Sequence, residues 1–290
     1  MILSNNIKTN IEKELNSKII DSQSLSGGCI SNAYKIKTDV GKIYFLKYNP
    51  SVNSDMFIKE AHGLQELNKA GVIKIPDVIC YDEDYILLEL IVAGNKQKNF
   101  SEDFGRKFAL LHKFTSEFYG FYEDNYIGSN PQINISKENE KHDWTKFYFN
   151  KRILFQLQLA EETGNSTSEL RKAIAVLENR IDEIVVDNGE NPSLLHGDLW
   201  GGNYLINNNG FACLIDPAVY YGNREADLAM TKLFGGFDSR FYETYYEAFP
   251  LPAGYEYREN IYKLYHVLNH LNLFGGGYYS QAMGLISYYI

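Results

Sequence analysis

The sequence predicts an α+β protein in two unequal lobes, a small antiparallel sheet carrying one helix, then a larger and mainly helical body. Three observations lead there. Between Lys18 and Asn49, β-branched and aromatic runs are broken by turn residues, as antiparallel strands are. After Ala93-Gly94 the apolar residues recur at helical spacing instead. At 290 residues the chain suits one large domain or two lobes and can bury a sizeable core.

The elements follow in order. Residues 6–16 read as a short polar helix. Three strands lie between Lys18 and Asn49, separated at Gly27-Gly28 and at Asp39-Val40-Gly41. Phe57, Ala61, Leu64 and Leu67 mark a helix from Ser54, a suitable N-cap, to Ala70, with Gly71 as its stop. Two strands follow, at 77–81 and 85–91. These residues, 1–91, form the expected small lobe, and 92–290 the large one. In the large lobe, helices are expected at 101–115, 142–162, 167–186, 225–233, 238–247, 255–274 and 279–290. Residues 116–141, rich in Gly, Asn and Tyr, read as an irregular ordered loop.

Composition narrows the function. Hydrophobic content of 44% and charged content of 22% are ordinary for a soluble globular protein. A net charge of −9 argues against nucleic acid as a partner. It leaves a nucleotide ligand open, because local Lys, backbone N–H groups and Mg²⁺ can outweigh distant surface charge. Three cysteines, at 29, 80 and 213, are too few and scattered for a disulfide framework or zinc site, which fits a reduced cytoplasmic setting. The N-terminus has no signal-peptide pattern. The most apolar run, residues 85–94, is too short for a bilayer and contains Glu89, so no membrane partner is expected. The 23 tyrosines suit half-buried positions with a wet edge.

The stretch from Leu194 to Gly222 carries the chemistry. Asp198, Asn203 and Asp216 occur in the order a phosphoryl-transfer site needs. YLINNNGFACLID between the last two reads as two short strands joined by an Asn-rich turn ending in Gly210. Such a hairpin folds Asp216 back beside Asn203, so that a carboxylate and an amide can share Mg²⁺, with phosphate and water oxygens completing the shell. Asp198 is then free to accept a proton from an acceptor hydroxyl. Singly, each residue could serve a turn or cap its own backbone; the ordered triple around a hairpin points to catalysis.

The small lobe supplies the ATP side. Lys47, ending the third strand, is placed to contact phosphates, and Glu60 in the next helix is its natural ionic partner. The plainer reading of either alone is a surface charge. Gly27 and Gly28, between the first two strands, permit close backbone approach to phosphate. Leu88 to Ile91, with Glu89 and Ile91 as the named contacts, should offer backbone groups to adenine. Cys29 in the glycine loop could be oxidised, or pair with another subunit, and so block the site; a buried, unreactive thiol is the plainer reading.

With these residues in place, the chain resembles the fructosamine kinases, or ketosamine-3-kinases, which have a protein-kinase-like fold and are related to aminoglycoside phosphotransferases and choline kinases. The resemblance runs through GGCIS at 27–31, YFLKYN at 44–49, MFIKEAHGLQEL at 56–67, GFYEDNYIGSNPQIN at 120–134, HGDLWGGN at 196–203, IDPAVYYGNREADLAMTKLFGGF at 215–237 and YHVLNHLNLFGGGY at 265–278. It departs at Gly201, where members commonly have Ser. It implies ATP-dependent phosphorylation of a sugar hydroxyl on a ketoamine, free or as a glycated lysine on protein, in repair of glycated amines. It also implies Asp198 as base, Asn203 and Asp216 as Mg²⁺ ligands, Lys47 with Glu60 as the phosphate anchor, and Trp200 as a surface for ketoamine stacking. A structural indole is the alternative for Trp200. Glu225 and Asp227 are expected to hold the catalytic loop together, and His196 to be a packed loop residue. HGD in place of HRD, IDPA in place of DFG, and no APE mark a small-molecule kinase. The rival readings are a kinase of an aminoglycoside or choline-like alcohol, and a nucleotide-binding pseudokinase. Monomer and homodimer both remain open.

Overall fold

The computed structural model describes residues 5–25, 32–50, 55–186 and 189–290. In the small lobe, helix α1 (Asn5–Leu15) precedes strands β1 (Ile19–Leu25), β2 (Asn32–Thr38) and β3 (Ile43–Tyr48). Helix α2 (Met56–Lys69) then leads to β4 (Val78–Asp82) and β5 (Tyr85–Glu89). The sheet is antiparallel in the order β1-β2-β3-β5-β4. Side chains alternate across its two faces. Tyr34, Leu46 and Leu87 pack with Ile7 and Ile11 of α1 on the outer face. On the inner face, Ala33, Lys47 and Ile86 stand in register across β2, β3 and β5. Ile86 and Leu88 share a core there with Phe57, Ala61 and Leu64 of α2. The strand-strand-strand-helix-strand-strand order read from the sequence is present. The N-cap expectation for Ser54 falls outside the described residues; Asp55 precedes the first turn.

The large lobe opens with α3 (Phe100–His112). Residues 116–141 are not wholly irregular. They contain a hairpin of β6 (Asn125–Ile127) and β7 (Asn130–Gln132), too short and too polar to show alternation. Its buried polar residues, Asn125 and Gln132, serve neighbouring backbone rather than solvent. The helix expected over 142–162 is three pieces: α4 (Trp144–Tyr148), a π-helical turn (Phe149–Leu154) and α5 (Phe155–Glu162). A π-turn adds a residue to the helical repeat and so re-aims the next helix. Here it carries Arg152, buried with its guanidinium 4.0 Å from the centre of the Tyr220 ring and donating to Ile133 O at 2.6 Å and Asn134 Oδ1 at 2.7 Å. The helix expected over 167–186 is likewise divided, into α6 (Ser168–Glu178) and α7 (Ile181–Ile184). Thr167 begins α6 by accepting the Leu170 N–H, the ordinary service of a threonine cap.

Strand β8 (Ser193–Leu195) enters the site and pairs with β11 (Tyr220–Gly222), which leaves it. Between them the hairpin β9 (Tyr204–Ile206) and β10 (Ala212–Leu214) forms as the Asn-rich turn predicted. Both lobes grip this hairpin. The Gly94 N–H donates to Ile206 O, and the Leu214 N–H to Lys74 O, each at 3.0 Å. A side chain at Gly94 would place its Cβ 2.4 Å from Asn207 O, so the linker runs backbone to backbone against the turn.

Helices α8 (Glu225–Leu233), α9 (Ser239–Ala248), α10 (Tyr255–Phe274) and α11 (Tyr278–Ser287) complete the chain. α10 is the axis of the large core, burying Ile261, Leu264, Val267, Leu268 and Leu271. The tyrosines go deeper than their polarity suggests. Tyr148, Tyr220, Tyr245, Tyr262, Tyr265 and Tyr289 are fully buried, and protein groups replace the expected wet edge. Tyr265 donates to Gln132 Oε1, Tyr289 to Tyr257 O, and the Tyr262 hydroxyl accepts from Trp144 Nε1.

His266 of α10 is buried beside Tyr265, and its Nδ1 has no hydrogen-bond partner. Burial, with His270 nearby, pushes its imidazole down to about 3. A free histidine titrates near 6.5, so below that pH the unfolded chain takes up a proton that the folded chain refuses. His266 therefore contributes stability above pH ~6.5 that is lost as pH falls towards 3. In urea unfolding at pH 7.5 and 5, we expect His266→Phe to lose about 2 kcal/mol less than wild type between the two pH values. Equal losses would remove His266 from the acid limb.

Candidate active site

The catalytic loop hangs from β8 and is built on buried backbone. Gly197 has φ of +81°, and a Cβ there would meet Ala218 O at 1.9 Å, so only glycine allows the turn to press against the strand leaving the hairpin. Asp227, buried in the first turn of α8, accepts the His196 N–H at 2.7 Å and the Gly197 N–H at 2.8 Å. Its Oδ2 also meets His112 Nε2 at 3.3 Å, while His112 Nδ1 meets the Tyr245 hydroxyl at 2.7 Å. Burial alone would raise the Asp227 carboxyl. The His112 contact and the Gly197 N–H outweigh it and hold the group below the usual carboxylate range.

His196 braces the same loop. Its Nε2 lies 3.0 Å from Ile215 O and its Nδ1 accepts the Asp198 N–H at 3.3 Å, so Nε2 carries the proton. Its own carbonyl accepts the Ala218 N–H at 2.9 Å. Burial lowers its proton affinity, and with both ring nitrogens engaged it packs rather than shuttles protons.

Asp198 and Asn203 face each other. Asn203 Nδ2 donates to Asp198 O at 2.8 Å and to Asp198 Oδ2 at 3.0 Å. Burial pushes the Asp198 carboxyl well above its usual range; the Asn203 bond opposes this and the nearby Asp216 charge adds to it. The Ile215 N–H donates to Asn203 O at 3.1 Å, which ties the far strand of the hairpin back to this pair.

Across the cleft, Lys47 Nζ lies 2.6 Å from Glu60 Oε1 and also binds Asp216 Oδ1. Burial alone would lower the ammonium's affinity for its proton. The two carboxylates, Asp216 foremost, raise it instead, and Lys47 stays charged. Asp216 has φ of +55°, left-handed backbone that Asp tolerates better than most side chains. Sheet, helix α2 and hairpin thus gather Lys47, Glu60, Asp216, Asp198 and Asn203, from points far apart in the chain, into one cleft.

The remaining expected residues fare differently. Gly27 and Gly28, and Cys29 with them, lie outside the described residues. Glu89 has its side chain on Lys74 Nζ, at 2.6 Å, and on the Asp77 N–H, at 3.2 Å. Its own N–H already donates to Asp77 O at 2.9 Å, because Asp77, just before β4, lies alongside it. Ile91 is half-buried, lining with Lys74, Val92 and Asn207 a cavity of about 340 Å³ behind the linker. Trp200, 40% exposed, lies over the Gly202 backbone and edge-on to Phe234 at 6.3 Å. Gly201, where Ser is common in the resembled family, backs onto Gly236, whose Cα would stand 3.2 Å from an added Cβ. Glu225 does not hold the loop. It forms a buried pair with Arg258 of α10, at 2.7 and 2.6 Å, since the first turn of α8 points it away from Asp227.

Residues that sequence reasoning missed stand behind the site. Gln132 Nε2 donates to Ala218 O at 2.9 Å and Asn125 Nδ2 to Val219 O at 2.8 Å, bracing the chain just after Asp216-Pro217. Their signal was the cluster of amides in 125–134, which is more polar than a free loop needs.

A divalent cation fits here. Asn203 binds Asp198 through Nδ2, which leaves Oδ1 for a cation, and the Asp216 carboxylate is 45% exposed. Among the described residues no cluster of three His, Cys, Asp or Glu forms a closed metal cage. An amide and a carboxylate that depend on phosphate and water for the rest of the shell are the habit of Mg²⁺.

A family model described as fructosamine kinase matches residues 3–290. The chain is 40% identical over 277 residues to a chloroplastic protein-ribulosamine 3-kinase of Arabidopsis thaliana, covering 92% of this chain and 82% of that one. It is 39% identical to a probable ketoamine kinase of Enterococcus faecium, covering 94% and 95%. A solved "putative fructosamine-3-kinase" of Thermobifida fusca superposes with a TM-score of 0.88 at 28% identity, covering 99% of both chains.

Asp227→Ala would leave two buried N–H groups and His112 without their acceptor. We expect a loss of about 3 kcal/mol, from roughly 1–3 kcal/mol per unpaired buried group, read as a lower urea midpoint at unchanged m-value. A shift under about 0.5 kcal/mol would show that the loop stands without it.

Proposed function

This chain belongs to the fructosamine kinase family, and from that premise we propose that it transfers the γ-phosphoryl group of ATP to the third-carbon hydroxyl of a ketoamine. It is a phosphotransferase with an alcohol acceptor, and ATP is its phosphoryl donor. The acceptor class rests on relatives named ribulosamine 3-kinase and ketoamine kinase, which align over nearly the whole chain. The observation that carries the mechanism is Lys47 bridging Glu60 and Asp216 beside the Asp198–Asn203 pair.

Each residue then has a task that its surroundings suit. Asp198, half-buried and with its proton affinity raised, accepts the hydroxyl proton as the bond to phosphorus forms. Asn203 keeps that carboxylate turned towards the acceptor. Lys47 neutralises phosphate charge and is kept in place by Glu60. Asn203 Oδ1 and Asp216 would hold Mg²⁺, which when bound draws charge from the phosphate oxygens. Trp200 offers the acceptor an exposed aromatic face beside Asp198. In a ketoamine the third carbon sits beside the ketone, so its phosphate becomes a leaving group by elimination. Loss of that phosphate from the 1,2-enaminol leaves an imine at the first carbon, which water hydrolyses to free the amine, and this supports a role in repair of glycated amines and proteins. Cys80 and Cys213 are free thiols raised to about 11 and about 12 by burial, which accords with a cytoplasmic setting. Among the described residues no helix is long and apolar enough to cross a membrane.

The deciding assay is ADP release with Mg-ATP against ribulosyl-lysine, fructosyl-lysine, kanamycin, choline and no acceptor. Turnover on a ketoamine supports the proposal; turnover only on kanamycin or choline overturns the acceptor class. Asp198→Asn should lower kcat by about 10²–10⁴-fold while keeping ATP-dependent thermal stabilisation. Near-wild-type kcat would refute the base. Asp216→Asn keeps a side chain suited to left-handed backbone, so Tm should hold within about 2 °C while the Mg²⁺ concentration for half-activity rises at least about tenfold. An unchanged Mg²⁺ requirement would remove Asp216 from the metal.

A further inference from the structure

Helix α2 carries Glu60, yet its polar stripe faces the large lobe. Asp55, Lys59, His62 and Glu66 recur at helical spacing, and each is engaged across the cleft's outer edge. Lys59 Nζ donates to Glu123 Oε2 at 2.8 Å, and His62 Nδ1 lies 2.8 Å from Glu123 Oε1. The Tyr126 hydroxyl donates to Asp55 Oδ1 at 2.5 Å, and the Tyr221 hydroxyl to the buried Glu66 at 2.8 Å. Gly63 packs against Pro217 and Val219, the residues that come after Asp216. The receiving segment is itself fixed. Asp124 Oδ1 accepts the Asn134 and Ile135 N–H groups, and Asn134 Oδ1 accepts from Arg152 of the π-turn.

Glu123 is the centre of this contact, since both its oxygens bind α2 one turn apart. Its side chain is 15% exposed and that of Lys59 20%, so the pair is partly desolvated and screened less than a surface ion pair. We propose that Glu123 is a positioning residue for phosphoryl transfer. By holding Lys59 and His62 it sets the depth of α2, and so keeps Glu60 against Lys47 and Lys47 over the phosphates. The inference rests on the reading of Lys47 and Glu60 as the nucleotide anchor. The same segment braces Ala218 and Val219 through Gln132 and Asn125, so one piece of the large lobe sets both sides of the phosphate site.

The test is steady-state kinetics with ATP and ribulosyl-lysine varied separately, using wild type, Glu123→Ala, the charge exchange Lys59→Glu/Glu123→Lys, Tyr126→Phe, and Lys47→Ala as reference. Glu123→Ala should raise KM for ATP at least about tenfold, the scale of a small misplacement in an active site, with ketoamine KM within about twofold. The charge exchange re-forms the 59–123 pair but leaves His62 facing an ammonium and sets a carboxylate at 59 beside Asp55, so it should recover only part of that loss. Amide exchange of residues 56–69 should quicken in Glu123→Ala and slow again in the exchange variant. Tyr126→Phe, which removes one hydrogen bond, should shift ATP KM the same way by a smaller factor, and decides the matter if Glu123→Ala does not fold. An ATP KM within about twofold of wild type in Glu123→Ala and Tyr126→Phe, while Lys47→Ala is impaired, would overturn the inference alone. Parallel rises in both KM values would also overturn it. Wild-type ATP kinetics in Lys47→Ala would instead bring down the nucleotide reading beneath it.

Discussion

A single ammonium held between two carboxylates organises this molecule. Lys47 comes from the sheet, Glu60 from the helix behind it, and Asp216 from the far side of the catalytic hairpin. Lys47 and Glu60 are largely desolvated while the Asp216 carboxylate stays exposed, so the Lys47–Glu60 pair is the costly one to break, at typically about 3–5 kcal/mol. The arrangement persists only if all three supports are stiff. That requirement accounts for much of the surrounding polar structure: Asp227 beneath the loop, Gln132 and Asn125 behind the hairpin exit, and the polar stripe of α2 against the large lobe. The triad also carries one negative charge more than positive, which would suit a divalent cation at Asp216.

The parts legible in the sequence are those set by local spacing. The hairpin between Asn203 and Asp216 follows from two short apolar runs and a turn, and it brings the predicted residues together. Lys47 and Glu60 were legible because strand and helix periodicity fix which face each side chain takes. Helices α8 and α10 came out at their predicted bounds, since each is a long periodic run between turn residues. The features that escaped depend on distant partners. Nothing local tells that Glu225 meets Arg258 while Asp227, two residues on, meets the loop. The π-turn at Phe149–Leu154 leaves the helical composition intact and so leaves no trace in the pattern. The tyrosines misled because a buried hydroxyl needs only one acceptor, and backbone carbonyls supply several. Glu89 ends β5 at the linker as expected, with its N–H taken by Asp77 just before β4.

Acidic composition does not conflict with a cleft built around Lys47. Lys47 is placed by the fold at short range, whereas much of the formal charge of −9 lies on a surface where salt screens it. Net charge thus argues against a nucleic-acid partner but says little about a nucleotide, whose recognition depends on a few fixed groups.

The hairpin of β9 and β10 hydrogen-bonds at one edge to Lys74, which precedes β4, and at the other to Gly94 of the linker. The small lobe cannot complete its hydrogen bonding at Lys74, nor the linker at Gly94, without that hairpin. The lobes therefore share their final step of folding, and heat or denaturant should dissolve them in one cooperative transition rather than in sequence. A destabilising change far out in the small sheet is then felt throughout the chain, and the catalytic loop, though rooted in the large lobe, draws its order from both.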